Sequence, residues 1–171
     1  AVERPLLTPN RRSRCCWRGG ARDRCFCDYS VFWRWRTDAD AVMKLISLNA
    51  WGGAMFESLA AWLPDCGADV LCLQEVTHTS DVDGWTSFAD GDRALPQRAS
   101  LLSDIKSLLP EHEVFYLASD SGPVYDANNQ RHRQEFGIAL FVHGRLPVMH
   151  AESTFVHGVY EHHREWPNSG R

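Results

Sequence analysis

The sequence predicts an α/β (α+β) fold that begins with a βαβ unit. Three stretches carry this prediction: "KLISLNA" is a short apolar strand, "AMFESLAAWLPDCG" has apolar residues at helical spacing, and "DVLCLQEV" is a second apolar strand. Strand, helix and strand within about thirty residues form a βαβ unit, and its crossover is right-handed in about 98% of cases. We therefore expect the two strands to be parallel neighbours in one sheet.

The bulk composition fits one globular domain. The chain has 171 residues, of which 44% are hydrophobic, and a net charge of −4, which does not favour a generic polyanion binder. Its uninterrupted apolar runs, such as residues 138–142, are far shorter than a membrane span. Without a membrane span or a secretory signal sequence, the expected location is cytoplasmic.

The composition changes near Met43. Residues 1–42 contain nine arginines, no lysine and five acidic residues, a balance of +4 that leaves −8 for residues 43–171. This first segment shows no clear helical or strand periodicity. We interpret residues 1–42 as a non-homologous Arg/Cys/Trp-rich extension, disordered or arising from a misassigned start, with the domain beginning at Met43.

A zinc-dependent nucleic-acid-binding arm is the alternative for residues 1–42, because thiolates hold zinc and arginine binds phosphates. The spacing of the cysteines disfavours this alternative. Zinc sites usually place paired cysteines two to four residues apart, whereas these pairs are adjacent or one residue apart. The cysteines concerned are Cys15, Cys16, Cys25 and Cys27.

The elements after the βαβ unit follow from local patterns. "ASLLSDIKSLLPEH" has an apolar stripe and predicts an amphipathic helix that ends before Pro110. "EVFYLAS" predicts a strand, and the polar run "DSGPVYDANNQRHRQE" that follows it predicts a loop. "THTSDVDGW" and the His-rich tail are also expected to be surface loops. Cys66 and Cys72 are expected to be reduced and to act as small apolar residues.

Polar residues follow both strands of the βαβ unit. Asn49 ends the first strand, and Glu75 ends the second. Parallel strands about 4.8 Å apart bring these ends to one edge of the sheet, where α/β proteins commonly bind ligands. A carboxylate and an amide oxygen suit Mg²⁺ or Mn²⁺. On spacing alone a structural interpretation is favoured, in which Asn49 forms a turn with its own backbone and Glu75 is solvated.

"MKLISLNAWGG" followed by "GADVLCLQEV" resembles the start of the endonuclease/exonuclease/phosphatase superfamily, whose first strand ends in Asn and whose second ends in Gln-Glu. "FGIALFVHGRLPV" resembles a later strand and turn of that family. The resemblance implies that Asn49 and Glu75 are catalytic residues and metal ligands, and that Gln74 is the associated substrate-binding amide. It implies a Mg²⁺-dependent (or Mn²⁺-dependent) hydrolase, a nuclease, phosphodiesterase or phosphatase, acting on phosphate esters of nucleic acids, phospholipids or inositol phosphates.

The resemblance covers residues 43–171, about half of a family domain. The family's Gly-Asp-x-Asn and Ser-Asp-His strings do not occur here. The implied fold is therefore half of a four-layer α/β/β/α sandwich, the N-terminal half, which is expected to be inactive as this fragment. The alternative is a non-catalytic remnant or interaction domain that keeps the half-fold.

Histidines and arginines outside the strand ends are further candidates. His78, three residues after Glu75, suits phosphate binding or acid–base chemistry, although its surroundings also fit an ordinary polar loop. Arg131, His132 and Arg133 are candidates for a phosphate contact, with a solvated basic loop as the favoured interpretation. A cluster of tail histidines suggests zinc, but no thiol or acidic partner lies at a motif spacing, so a surface loop is favoured. These histidines are His157, His162 and His163.

Overall fold

The computed structural model describes residues 31–36, 42–90 and 93–166. Its strands form one curled, mixed, eight-stranded sheet with the order β1-β2-β3-β7-β6-β4-β5, and β8 lies beside β6. The strands are β1 Val31–Arg36, β2 Val42–Asn49, β3 Val70–His78, β4 Trp85–Asp90, β5 Arg93–Arg98, β6 His112–Tyr125, β7 Arg131–His143 and β8 Glu161–His162; the helices are α1 Phe56–Trp62 and α2 Leu101–Leu108. The predicted α+β class is confirmed. No helix in this described part is long and apolar enough to span a membrane.

The predicted βαβ unit is present as β2, α1 and β3. Strands β2 and β3 are adjacent and parallel, with Leu45 opposite Val70 and Asn49 opposite Gln74. The amphipathic helix is also confirmed as α2, in which Leu101 and Ile105 are fully buried. Apolar side chains that return every third or fourth residue therefore face the sheet, as the pattern predicts.

One face of the sheet packs against the helices and forms the core. Alternate residues of β3 point to this face, so that Leu71 and Leu73 are buried while Cys72 between them is only partly buried on the other face. Cys66 and Cys72 carry free thiols, and burial raises the pKa of Cys72. The largest core side chains are Ile46, Leu63, Leu71, Leu73, Leu101, Ile105 and Phe141.

The opposite face of the same sheet, which we call the second sheet face, is partly uncovered. A groove of about 820 Å³ lies along it, lined by Cys72, Leu117 and Leu140 and bordered by residues 148–153. Ile138 on this face is 53% exposed. A sheet with one packed and one open apolar face has room for a further layer of structure.

The polar run between the two predicted strands was expected to be a loop, and this prediction was wrong. Strands β6 and β7 continue through it as a long hairpin, with Tyr125 opposite Arg131 at its end. The buried positions in this extension include Ser121 and Gln134, whose side chains make hydrogen bonds. A strand that buries polar residues lacks the apolar alternation by which strands are recognised.

Two further regions contain strands that were not predicted. The hairpin of β4 and β5 occupies a region without an assigned element, and it too buries polar side chains, Thr86 and Gln97. Strand β1 lies in the first segment and pairs antiparallel with β2, so this segment contains an element that its composition did not indicate. The interpretations of residues 1–30 and 37–41, including the four cysteines, lie outside the described residues. The domain boundary at Met43 stays a prediction.

The tail is held against the sheet rather than forming only a surface loop. His162 in β8 makes a 2.8 Å hydrogen bond through Nδ1 with Ser121 Oγ. Arg133 donates to the carbonyl oxygen of His163, and Arg131 donates to that of Arg164. These two arginines, which were candidates for a phosphate contact, therefore bind the protein's own backbone.

Trp166 fixes the end of this tail. Its indole Nε1 donates to the carbonyl oxygen of Pro123 at 2.7 Å, and its ring contacts Phe88 edge-on at 5.2 Å between centroids. The ring occupies the space above Gly122, where any β-carbon would collide with it. A glycine at position 122 is therefore needed for the tryptophan to pack.

We expect Trp166→Ala and Gly122→Ala each to lower the free energy of unfolding by about 2 kcal/mol, because both remove the ring from its slot. The two losses should not add. In the double variant no ring remains to collide with the added β-carbon, so its loss should be close to that of Trp166→Ala alone. Urea unfolding of the four proteins measures these values. Additive losses would show that Gly122 and the ring act independently.

Candidate functional site

Asn49 and Glu75 lie together at one edge of the sheet. Asn49 Nδ2 donates a 2.8 Å hydrogen bond to Glu75 Oε1. Asn49 is exposed and Glu75 is half-buried, at the point where the parallel pairing of β2 with β3 ends. The convergence that the βαβ unit predicted is present.

Glu75 does not end its strand, as had been expected, but lies in a β-bulge. The pairing of β3 with β7 shifts register between Leu73 and Val76, and β3 then continues to His78. Glu75 has φ = +54°, a left-handed conformation that costs a non-glycine residue about 1–2 kcal/mol. A bulge changes the direction of a side chain, and backbone strain of this kind is concentrated at functional sites.

Asn49 also forms the turn that the structural interpretation predicted. Its Oδ1 accepts a 2.8 Å hydrogen bond from the backbone N–H of Trp51. The side chain therefore joins the turn after β2 to the carboxylate of Glu75. An amide oxygen has two lone pairs, so Oδ1 keeps one acceptor position while it holds Trp51.

The turn after Asn49 has an unusual backbone. Trp51, Gly52 and Gly53 have φ values of 49°, 57° and 74°, three successive left-handed residues. A β-carbon at Gly52 would lie 3.1 Å from the side chain of Gln97, and one at Gly53 would lie 2.5 Å from Arg98 Cγ. Both glycines are thus favoured by their left-handed conformation, and Gly53 also by the close approach of Arg98.

The side chains of Gln74 and His78, the other predicted site residues, make hydrogen bonds with residues other than Asn49 and Glu75. Gln74 Nε2 donates to Ser47 Oγ at 2.9 Å, and Gln74 lines the groove of the second sheet face. His78 Nδ1 is 3.0 Å from Ser100 Oγ, where α2 begins. Their roles in substrate binding stay predictions.

The His132 ring lies between two carboxylates. Its Nδ1 lies 3.3 Å from Asp81 Oδ2, and its Nε2 lies 3.4 Å from Asp126 Oδ2. The backbone N–H of Gln130, followed by smaller contributions that include His132, lowers the pKa of Asp126. These contacts give His132 a structural place at the start of β7, beside the β6–β7 turn, and a phosphate contact of His132 stays a prediction.

A polar group beside His78 was not found by sequence reasoning. Tyr116 contacts the His78 ring edge-on at 6.1 Å between centroids, and Glu135 lies opposite His78 in the pairing of β3 with β7. Burial, and then the Glu135 carboxylate, raise the pKa of Tyr116, and within the described residues its buried hydroxyl makes no hydrogen bond. Glu135 itself accepts a 3.4 Å hydrogen bond from Tyr160. Only the strand register, which sequence does not give, brings these residues together.

The donor atoms fit a cation that needs few protein ligands. Within the described ranges, no group of three or more His, Cys, Asp or Glu side chains is placed to hold a metal ion. Mg²⁺ is usually held by one or two carboxylates and completes its shell with water and substrate phosphate. The half-buried Glu75 carboxylate and the Asn49 amide oxygen provide hard oxygen donors of this kind.

Comparison of the chain with protein-family models, with curated proteins and with solved structures finds no match.

Proposed function

We propose that this chain is the metal-holding half of a divalent-cation-dependent phosphoester hydrolase of the endonuclease/exonuclease/phosphatase type. The observation that carries the proposal is the 2.8 Å contact between Asn49 and Glu75. It joins a carboxylate on strained backbone to an amide at the C-terminal edge of a parallel strand pair. This is the edge at which α/β sheets bind ligands.

Each residue has a defined part in this proposal. Glu75 would hold Mg²⁺ or Mn²⁺ through its carboxylate, and Asn49 would orient that carboxylate through its Nδ2 donor and offer its own Oδ1 as a further ligand. When bound, such a cation would neutralise the charge that develops on the phosphoryl oxygens. Hydrolysis also needs an oriented water and proton transfer at the leaving group. In this proposal those groups come from residues outside this chain.

The second sheet face supports the half-sandwich that the sequence resemblance implies. Ile138 on that face is 53% exposed. A second sheet packed on this face would bury this side chain. The identity of the phosphate ester stays a prediction, since nucleic acids, phospholipids and inositol phosphates are handled by one fold.

The groove of the second sheet face favours a second candidate function, that of an interaction domain without catalytic turnover. An apolar groove of about 820 Å³ is large enough to receive a partner. Binding a partner there does not require Glu75 to hold a cation. The two candidates differ in one respect. Only the hydrolase requires that the Asn49–Glu75 pair bind a divalent cation.

Calorimetric titration of the 171-residue chain with Mn²⁺ tests the proposal. We expect Glu75→Gln to weaken Mn²⁺ binding by at least about tenfold, because it removes the charged ligand, and Asn49→Ala to weaken it less. Glu113→Gln, which removes an exposed carboxylate of β6, is the matched control and should bind like the wild type. Equal binding by the wild type and Glu75→Gln would contradict the assignment.

Asn49→Asp separates a cation site from a purely structural hydrogen bond. Two carboxylates side by side repel each other, so without metal this variant should melt at a lower temperature than the wild type. A cation between them should bind more tightly than in the wild type, so added Mn²⁺ should raise the melting temperature of the variant more. A melting temperature that does not respond to Mn²⁺ would indicate a structural pair only.

A further inference from the structure

We propose that Arg98 is a positioning residue that holds the Asn49–Glu75 pair in place through the turn Trp51–Gly53. The structural part of this inference concerns the turn alone. Its consequence for cation binding rests on the function proposed above. Arg98 ends β5, in a hairpin that no sequence feature connected with the site.

Arg98 is itself held firmly. Its guanidinium makes two hydrogen bonds with the Asp104 carboxylate, Nε to Oδ2 at 2.8 Å and Nη2 to Oδ1 at 3.1 Å. It also lies over the ring of Phe56, 4.4 Å from the centroid, and over that of Trp85 at 5.3 Å. The side chain is 15% exposed. Paired hydrogen bonds and aromatic stacking fix the planar guanidinium in one orientation.

The stem and the head of Arg98 contact the chain that follows Asn49 at two places. The position of a β-carbon on Gly53 lies 2.5 Å from Arg98 Cγ, so the stem packs directly on the turn. The guanidinium covers Phe56, the first residue of α1. Arg98 thus restrains the turn and the start of the helix together.

Three hydrogen bonds connect the turn to Asn49 and Glu75. Gly53 N–H donates to the carbonyl oxygen of Ala50 at 2.8 Å, which closes the turn. Trp51 N–H donates to Asn49 Oδ1, and Asn49 Nδ2 donates to Glu75 Oε1, each at 2.8 Å. If the turn opens, Asn49 loses the bond that fixes its amide, and the Glu75 carboxylate loses its orienting donor.

A second arginine–carboxylate pair provides a matched control. Arg145 pairs with Asp69, which is buried and immediately precedes β3. It therefore lies at the opposite end of the strand that carries Glu75. Arg98→Met and Arg145→Met each remove a guanidinium from a carboxylate, but only the first change touches the turn.

The experiment compares the wild-type chain with Arg98→Met, Asp104→Asn and Arg145→Met. The first readout is hydrogen exchange of the Trp51 backbone amide by NMR, relative to the Leu71 amide in the core. We expect Arg98→Met to speed Trp51 exchange by at least about tenfold relative to Leu71, and Arg145→Met to leave the ratio unchanged. Asp104→Asn keeps the arginine stem and should give a smaller change of the exchange ratio in the same direction. If Arg98→Met does not fold, Asp104→Asn is the variant that tests the proposal.

The second readout is the Kd for Mn²⁺, which we expect Arg98→Met to raise about threefold to tenfold while Arg145→Met leaves it unchanged. If the wild type binds no Mn²⁺, the proposed function fails, while the Trp51 exchange still decides whether Arg98 holds the turn. If Mn²⁺ binds and both arginine variants change it equally, or if the Trp51 exchange ratio is unchanged in Arg98→Met and Asp104→Asn, Arg98 has no positioning role.

Discussion

Joined at residue 171 to a downstream segment that carries Gly-Asp-x-Asn and Ser-Asp-His, the chain is expected to hydrolyse bis-p-nitrophenyl phosphate when Mg²⁺ or Mn²⁺ is present. Glu75→Gln should then lower the rate by at least about a hundredfold. A metal ion contributes several kcal/mol of transition-state stabilisation, and each 1.36 kcal/mol is a factor of about ten in rate. The change keeps the shape of residue 75 and one oxygen that can accept from Asn49 Nδ2, and it removes the charge that is proposed to hold the cation.

Three comparisons make this result interpretable. Glu113→Gln in the same joined chain should keep the wild-type rate, and a chelator should reduce the wild-type rate to that of Glu75→Gln. The 171-residue chain alone should show no metal-dependent turnover, because the groups that orient the water are assigned to the downstream segment. Comparable turnover by the short chain would mean that residues such as His78, Tyr116 and Glu135 supply those groups.

Replacing Gln134 by Leu is expected to lower the free energy of unfolding by about 2–4 kcal/mol. Gln134 is fully buried, and its Nε2 lies 3.1–3.2 Å from four acceptor atoms. One acceptor follows β3, one lies on β4, and two lie at the end of β5. Two N–H groups serve these acceptors, and leucine serves none of them. The acceptors are Thr79 Oγ1, Thr86 Oγ1 and the carbonyl oxygens of Arg98 and Ala99.

The matched control is Gln130→Leu, in the exposed turn between β6 and β7, which should change stability by less than about 0.5 kcal/mol. Urea unfolding with a common slope measures both variants. A loss below about 1 kcal/mol for Gln134→Leu would show that the β4–β5 hairpin is held to the sheet by other contacts.

The parts of the fold that the sequence predicted are those whose cores are apolar. Strand β3 has a continuous apolar run, β2 is mostly apolar, and α2 has an apolar stripe. The residue types of these elements therefore show which positions are buried. Strand β5 and the outer halves of β6 and β7 instead bury polar side chains, namely Gln97, Ser121 and Gln134. Gln134 illustrates the difference, because its burial depends on partners that lie 35 to 55 residues away in the chain.

The site was predictable to the same extent. The ends of two parallel strands converge by geometry alone, and this placed Asn49 beside Glu75 correctly. The bulge at Glu75 depends on its register with β7, and the contact of Arg98 with Gly53 depends on a hairpin that shows no strand periodicity. Local pattern therefore locates the strand ends, but it does not give the backbone conformation or the neighbours of the residues there.

The most direct test of the cation site is a crystal of the 171-residue chain grown or soaked with Mn²⁺ and measured for anomalous scattering. We expect an anomalous peak about 2 Å from a carboxylate oxygen of Glu75, with the Asn49 side chain beside it, and no such peak in crystals of Glu75→Gln. The cation site at Glu75 would be contradicted by a well-ordered Glu75 that remains bonded only to Asn49 at saturating Mn²⁺. It would also be contradicted by an anomalous peak from Mn²⁺ bound elsewhere instead of at Glu75.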